Sequence, residues 1–175
     1  SRDRLPTVVK DNPKLTVTEA AILDLSDEQL VEHVRSAEAV IQCLGHNMTF
    51  KGMYGRPRDL CTMTARRICE AISTAKPETP IKFILMNTNG VVNPDGSDEH
   101  VRSLTQNTVL WMLKVLLPPM KDNLRAAHYL SEEVGDNNPY VQWCTVRPDN
   151  LIDEEVTEYD LHPGLTQGLF QAKKT

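Results

Sequence analysis

Two short runs of this sequence are apolar at nearly every position, and they constrain the fold more than any other feature. Residues 39–44 read AVIQCL and residues 81–87 read IKFILMN. A strand that is apolar on both faces needs cover on both faces, which is typical of a parallel sheet with helices above and below it. Residues 15–21 and 140–147 are apolar or β-branched runs of similar length, and we expect them to form two further strands.

Helical patterns fill the segments between these strands. Ser26 begins a capping box, since a glutamine follows it by three residues, and this predicts a short helix. Residues 60–72 carry an apolar stripe with a 3.6-residue period, the strongest helical pattern in the chain. Residues 107–117 are apolar nearly all round until two prolines interrupt them, and residues 122–134 form a last helical pattern that ends at Gly135.

This alternation predicts one α/β domain over residues 1–175, a Rossmann-like doubly wound parallel sheet with helices on both faces. A chain of 175 residues with 40% hydrophobic content and a mean hydropathy of −0.37 is long enough to bury a core. No run approaches 18 uninterrupted apolar residues, so we expect a soluble protein that does not associate with membranes. The net charge of −5 supplies no basic field, and we expect no nucleic-acid partner.

The cysteines form neither a CxxC pair nor a set with histidine at zinc spacing. We therefore expect no metal site and a reduced, cytoplasmic environment. All four are predicted to be buried thiols. They are Cys43, Cys61, Cys69 and Cys144.

Three long connections follow the carboxyl ends of predicted strands, at residues 45–59, 88–106 and 148 onward. Open α/β sheets bind ligands at this edge, and long loops are often functional. We therefore expect a binding cleft here, the alternative being surface insertions. Basic and aromatic residues of the first loop can contact a cofactor or an anionic substrate, the alternative being a solvated loop. They are His46, Lys51, Tyr54, Arg56 and Arg58.

Residues at these strand ends have the chemistry of a dinucleotide site. Asp24 follows the first predicted strand, where its carboxylate can accept a hydrogen bond from adenine while the amide of Leu25 donates to the ring. The alternative for Asp24 is an acid favoured by the dipole of the next helix. Gly45 ends the second strand and permits close backbone approach. Asn87 and Thr88 end the third strand, where they can hold a substrate carbonyl.

Taken together, the strand ends resemble those of the atypical short-chain dehydrogenase/reductase superfamily and, within it, the NmrA-like NAD(P)-binding branch. The pairs that carry the resemblance are Asp24-Leu25, Leu44-Gly45, Asn87-Thr88 and Arg147-Pro148. The resemblance implies NADP or NAD bound along the strand-tip edge, with Thr88 at the position of the family's catalytic serine or threonine. The cofactor-binding positions that it implies are Arg2, Arg4, Asp24, Leu25, Leu44, Gly45, His46, Asn87, Asn123 and Pro148.

The sequence departs from this family at the phosphate site. The family's first strand, glycine-rich turn and pyrophosphate-binding helix would precede this chain, and no glycine occurs before Gly45. We therefore expect a chain truncated at both ends that lacks the first strand-helix-strand of the fold, and that binds NADP or NAD only if the glycine-rich segment is present in the full protein. Two absent strands would belong between residues 15–21 and 39–44, and we favour an incomplete chain over direct pairing of these segments. Arg2 and Arg4 follow the family's second strand and predict a preference for the 2′-phosphate of NADP.

The second departure concerns catalysis. The family relies on a tyrosine that protonates the substrate oxygen and on a lysine four residues later. Pro119 and Asn123 occupy those two positions, and the nearby Tyr129 has Glu133 where the lysine would stand. Two functions therefore stay open. One is an NAD(P)-dependent oxidoreductase-like protein acting on a small carbonyl or related substrate, and the other is a non-catalytic dinucleotide-sensing or scaffolding protein that recognises a protein partner.

Overall fold

The computed structural model describes residues 5–47, 49–148 and 158–165, which form a parallel sheet with helices packed against it. The strands are β1 (Ala39–Gln42), β2 (Ile81–Met86) and β3 (Val141–Val146). The helices are α1 (Thr7–Lys10), α2 (Asp27–Val34), α3 (Phe50–Tyr54), α4 (Leu60–Ala75), α5 (Leu104–Leu116) and α6 (Pro118–His128), with a 3₁₀ turn at Glu99–Val101 and a π-helical segment at Tyr129–Val134. The mixed α/β architecture and the parallel sheet are as predicted.

The three strands lie side by side in chain order, β1-β2-β3. Val40 is paired with Phe83, and Phe83 is paired in turn with Trp143. Each crossover between neighbouring strands contains helices, as parallel pairing requires. Three of the four predicted strands are therefore confirmed, each slightly shorter than its apolar run.

The fourth predicted strand is wrong. Residues 15–21 form no strand, and Leu15 and Val17 are exposed. Apolar and β-branched residues adopt an extended ladder only where a neighbouring backbone supplies hydrogen bonds, and no strand in the described ranges lies beside the outer edge of β1. The gap expected between residues 15–21 and 39–44 is therefore an open sheet edge. Because this edge faces an open groove rather than a core, its unpaired amides and carbonyls are accessible to water.

The helices cover one face of the sheet within the described residues. Ile81, Phe83 and Leu85 of β2 are buried in one apolar cluster with residues of α2, α4 and α6. The alternate residue Ile84 is half-buried, and its β1 partner Ile41 is 62% exposed. The prediction of helices on both faces is thus not met in this part of the chain, and the second face remains an exposed apolar surface.

Local signals fix the helix ends. The capping box at Ser26 is confirmed, because its hydroxyl accepts from the amide of Gln29 and the Gln29 side chain accepts from the amide of Ser26. The two prolines that interrupt α5 occupy the first turn of α6, where a missing N–H costs nothing. Gly135 ends the following π-helical segment with a positive φ of 69°. No helix among the described residues is both long and apolar enough to cross a bilayer.

The prediction of four buried thiols is half right. Cys61 and Cys69 lie on the buried face of α4. Cys43 and Cys144 are exposed, because each lies at or beside an open edge strand whose outer surface no described helix covers.

Candidate functional site

The carboxyl ends of the three strands bring most of the predicted site residues to one edge of the sheet. His46 follows β1, Asn87 and Thr88 follow β2, and Pro148 follows β3. Parallel strands end at the same edge, so residues far apart in sequence become neighbours there. Gly45 leaves open space, since a Cβ atom at this position would meet no protein atom within 4 Å.

Helix α6 holds two of these strand tips through consecutive residues. His46 Nε2 lies 2.8 Å from Asp122 Oδ2, and Asn87 Nδ2 donates to the Asn123 carbonyl at 3.0 Å. The structure therefore joins three predicted site residues, His46, Asn87 and Asn123, around one helix. The Asn123 contact uses its backbone oxygen, not its side chain.

Asp122 is the centre of this junction, and sequence reasoning missed it. Its carboxylate accepts hydrogen bonds from the amides of Cys61 and Thr62 at 2.7 and 3.0 Å, from the Thr62 hydroxyl at 2.7 Å and from His46. It therefore caps the amino terminus of α4 from another helix. Asp59, the residue that precedes α4, makes no side-chain cap bond.

The hydrogen bonds that Asp122 accepts hold the pKa of its carboxyl below the usual value, although burial opposes them. The Asp122 side chain is fully buried and that of His46 is 4% exposed. A charged carboxylate is stable here because four donors surround it. No local sequence signal indicates this role, because Asp122 lies in a mixed helical segment beside Lys121 and Asn123 and its partners lie sixty or more residues away.

Cys61 lies against the same junction. Its Sγ donates to the Leu44 carbonyl at 3.3 Å, and its side chain, His46 and Asp122 offer sulfur, nitrogen and oxygen atoms within 4.8 Å of one another. Burial, followed by the charge of Asp122, raises the pKa of the Cys61 thiol to about 12. The thiol is thus held protonated, and the acceptor sites of Asp122 are already used, so we assign this cluster a structural role.

The predicted catalytic residue Thr88 lies at the tip of β2. Among the described residues, no tyrosine forms a hydrogen bond with it. Its hydroxyl oxygen accepts from the amide of Gly90 at 3.2 Å, which leaves its hydrogen free to donate. Tyr129 is buried under the Arg66 guanidinium, which lies 4.4 Å from the centre of its ring. Burial raises the pKa of Tyr129, so this phenol is a poor proton donor.

A second feature, the edge groove, lies along the open side of β1. Its volume is about 930 Å³, and its lining is mostly apolar. Asp24 and Leu44, two predicted cofactor-binding residues, both line it, together with Ile22 and Arg56. The groove thus joins the turn after residues 15–21 with the end of β1.

Arg67 of α4 fixes the wall of the edge groove. Its guanidinium donates to the carbonyls of Ile22, Leu23 and Leu25, at distances of 3.1, 3.1 and 2.5 Å. It also pairs with Asp27 Oδ1 at 2.8 Å. One side chain therefore holds the predicted Asp24-Leu25 turn against α4.

Of the predicted site residues, His46, Asn87 and Asn123 therefore meet around α6, and Asp24 and Leu44 line the edge groove. Leu25 lies in neither group, because its side chain packs against the core cluster. Arg2 and Arg4 lie outside the described residues. Comparison with protein-family models, with curated proteins and with solved structures finds no match for this chain.

Proposed function

We propose that this chain is an NAD(P)-dependent oxidoreductase-like protein whose edge groove receives the adenine end of the dinucleotide. One observation carries the proposal: Asp24 and Leu44, chosen from separate parts of the sequence, line the same groove. The doubly wound Rossmann arrangement is part of this proposal.

The residues present fit such a ligand. The groove volume falls within the roughly 300–1,000 Å³ typical of small-molecule sites, and its apolar walls suit a flat aromatic base. The Asp24 carboxylate is exposed in the wall, where it can accept from an exocyclic amino group. The sequence has no glycine-rich turn before Gly45, so we expect this chain to bind mainly through the adenine end and therefore weakly.

The substrate would lie beyond the tip of β2. When bound, NAD(P)H supplies a hydride. Thr88 can donate its hydroxyl hydrogen to a carbonyl oxygen, and Asn87 is held in place through Asn123. These residues position a small carbonyl compound but do not provide a strong acid.

A second function, dinucleotide binding without turnover, is favoured by the chemistry of α6. Pro119, in the first turn of the helix, stands in place of the family's tyrosine, and Asn123 stands in place of its lysine. Tyr129 is buried away from the strand tips, in the core cluster. A sensing or scaffolding protein would need the groove to bind the dinucleotide, but it would not need a side chain that donates a proton to a substrate.

Titration of NADH and NADPH, followed by fluorescence, tests the groove. We expect Asp24→Asn to weaken binding about tenfold or more, because a hydrogen bond to a charged acceptor contributes about 1.5–3 kcal/mol. Asp136→Asn is the matched control, since Asp136 is an exposed acid before β3, at the opposite end of the sheet. Absence of saturable binding, or equal loss in both variants, would contradict the proposal.

Turnover separates the two functions. The oxidoreductase predicts that consumption of NAD(P)H in the presence of carbonyl compounds falls in Thr88→Ala while nucleotide binding is unchanged. The sensing protein predicts binding without consumption in either form.

A further inference from the structure

Two arginines and one carboxylate lie beyond the carboxyl ends of β2 and β3, and a lysine of α5 lies within electrostatic range of one of the arginines. We call Arg102, Lys114, Arg147 and Asp98 the cationic cluster. The charges of Arg147 and Asp98 both act on Arg102, and Arg102 acts on Lys114. None of these four residues belongs to the edge groove or to the junction at Asp122.

The single carboxylate of the cluster is already matched. Asp98 Oδ2 accepts from Arg147 at 2.5 Å and from the amide of Asn93 at 3.0 Å, while Oδ1 accepts from the amide of Leu165 at 2.9 Å. These donors hold the pKa of Asp98 below its usual value against the effect of burial. Asp98 therefore balances Arg147.

Arg102 forms no ion pair with any carboxylate of the described residues, and the nearby Asp98 is already paired with Arg147. The residue is 6% exposed, and its Nη2 donates to the Asn89 carbonyl. Its Nε and Nη1 are buried and have no hydrogen-bond partner among the described residues. An unpaired buried charge costs several kcal/mol, so a guanidinium in this position calls for an anion.

Lys114 adds a second positive charge at the same place. It is half-buried on α5, and burial, followed by the charge of Arg102, lowers its pKa. No carboxylate of the described residues pairs with Lys114 or Arg102 within 4.0 Å. Two cations thus share one region whose one described acid, Asp98, is already paired with Arg147.

We propose that Arg102 and Lys114 bind an oxyanion, the carboxylate or phosphate group of a small molecule. Guanidinium N–H groups match the geometry of such oxygens, and a lysine ammonium adds a point charge. The site lies beside Asn89, the residue after Thr88, so the anion is held next to the tip of β2. Because the guanidinium lies below the surface, binding requires neighbouring side chains to move.

Titration with inorganic phosphate and, separately, with acetate tests the site without any nucleotide. Ionic strength is held constant with sodium chloride, and the Tm of the chain is measured. We expect a saturable rise in Tm, because a ligand that binds only the folded state stabilises it. A stronger response to phosphate would indicate a phosphate-binding site, and a stronger response to acetate would indicate a carboxylate-binding site.

Arg102→Met and Lys114→Met should each weaken the apparent affinity by about tenfold or more. Arg35→Met is the matched control and should respond like wild type, since Arg35 is exposed and, among the described residues, pairs with Glu32 alone. In buffer without oxyanion, Arg102→Met should have a Tm equal to or above that of wild type, because it removes an uncompensated buried charge.

Either of two results would overturn the proposal. One is a wild-type protein that neither anion stabilises beyond chloride. The other is an unchanged response in Lys114→Met and Arg102→Met. A binding failure here leaves the edge groove untouched, and a failure of NAD(P)H binding leaves this site untouched.

Discussion

Removing the Asp122 carboxylate should unfold the junction between α4, α6 and the tip of β1. In Asp122→Ala, the amides of Cys61 and Thr62 lose their acceptor, a loss comparable to removing a helix cap at about 1–2 kcal/mol. His46 also keeps a buried ring nitrogen without a partner, at about 1–3 kcal/mol. The sum is about 2–5 kcal/mol, a range that includes the cost of removing one partner from a buried, hydrogen-bonded carboxylate.

Urea unfolding followed by circular dichroism at pH 7 measures this loss. Asp59→Ala is the matched control, because Asp59 precedes the same helix and its carboxylate pairs with Arg125 at the surface, where both side chains are about half exposed. We expect that control to cost less than about 1 kcal/mol. If the two variants lost similar free energy of unfolding, the role assigned to Asp122 would be wrong.

Acid provides a second measurement on the same group. The pKa of Asp122 is lowered in the folded state, so its contribution is present above the unfolded value of about 4 and is lost as the pH falls through the folded value. Asp122→Asn lacks this titration. The difference in unfolding free energy between wild type and Asp122→Asn should therefore shrink below about pH 4. A difference that stays constant with pH would contradict the stabilising role of the ionised Asp122 carboxylate.

Other parts of the chain give three further predictions. Arg67→Ala should speed amide hydrogen exchange of residues 22–25 and lower the free energy of unfolding by about 2–3 kcal/mol. The reason is that three backbone carbonyls of this turn lose the charged side chain that donates hydrogen bonds to them. Burial raises the pKa of both Cys61 and Cys69 to about 12, so stability should fall as the pH rises from about 9 towards 12, by about 1.4 kcal/mol per pH unit for each thiol. Arg2→Ala combined with Arg4→Ala should reduce the preference for NADPH over NADH that we expect of the protein.

Each of these has its own control. Arg66→Ala, on the same helix, should leave exchange of residues 22–25 unchanged because Arg66 pairs instead with Glu133. Alkylation at pH 8, followed by mass spectrometry, should modify Cys43 and Cys144 and spare the two buried thiols, and equal labelling of all four would contradict the burial. Equal affinities for NADH and NADPH in the unaltered protein would refute the role of the two arginines.

Local patterns predicted the parts of this fold that local forces determine. The capping box at Ser26 and the stripe of α4 depend on neighbours within four residues, and both are observed. Residues 15–21 failed because a strand requires a distant backbone that the described residues do not supply at the β1 edge. Asp122 was missed for the same reason, since its donors belong to another helix.

The candidate site was predicted in a similarly uneven way. Strand ends of a parallel sheet meet by topology, so His46, Asn87 and Thr88 could be placed together from sequence. The burial of the Arg102 guanidinium could not be predicted from sequence, because an arginine in a polar loop gives no sign that its side chain is buried. Burial of a long polar side chain is decided by tertiary packing.

The adjacency of Asp122 and Asn123 makes α6 a mechanical link between two strands. Asp122 binds the loop after β1, and Asn123 binds the tip of β2. A small slide or rotation of this helix must therefore displace both tips together, and neither can be tuned alone. Substitutions along α6 should consequently show epistasis with changes at His46 and Asn87, although no direct contact between those two residues is involved. We therefore expect a change in one loop to be tolerated best when the other loop changes with it.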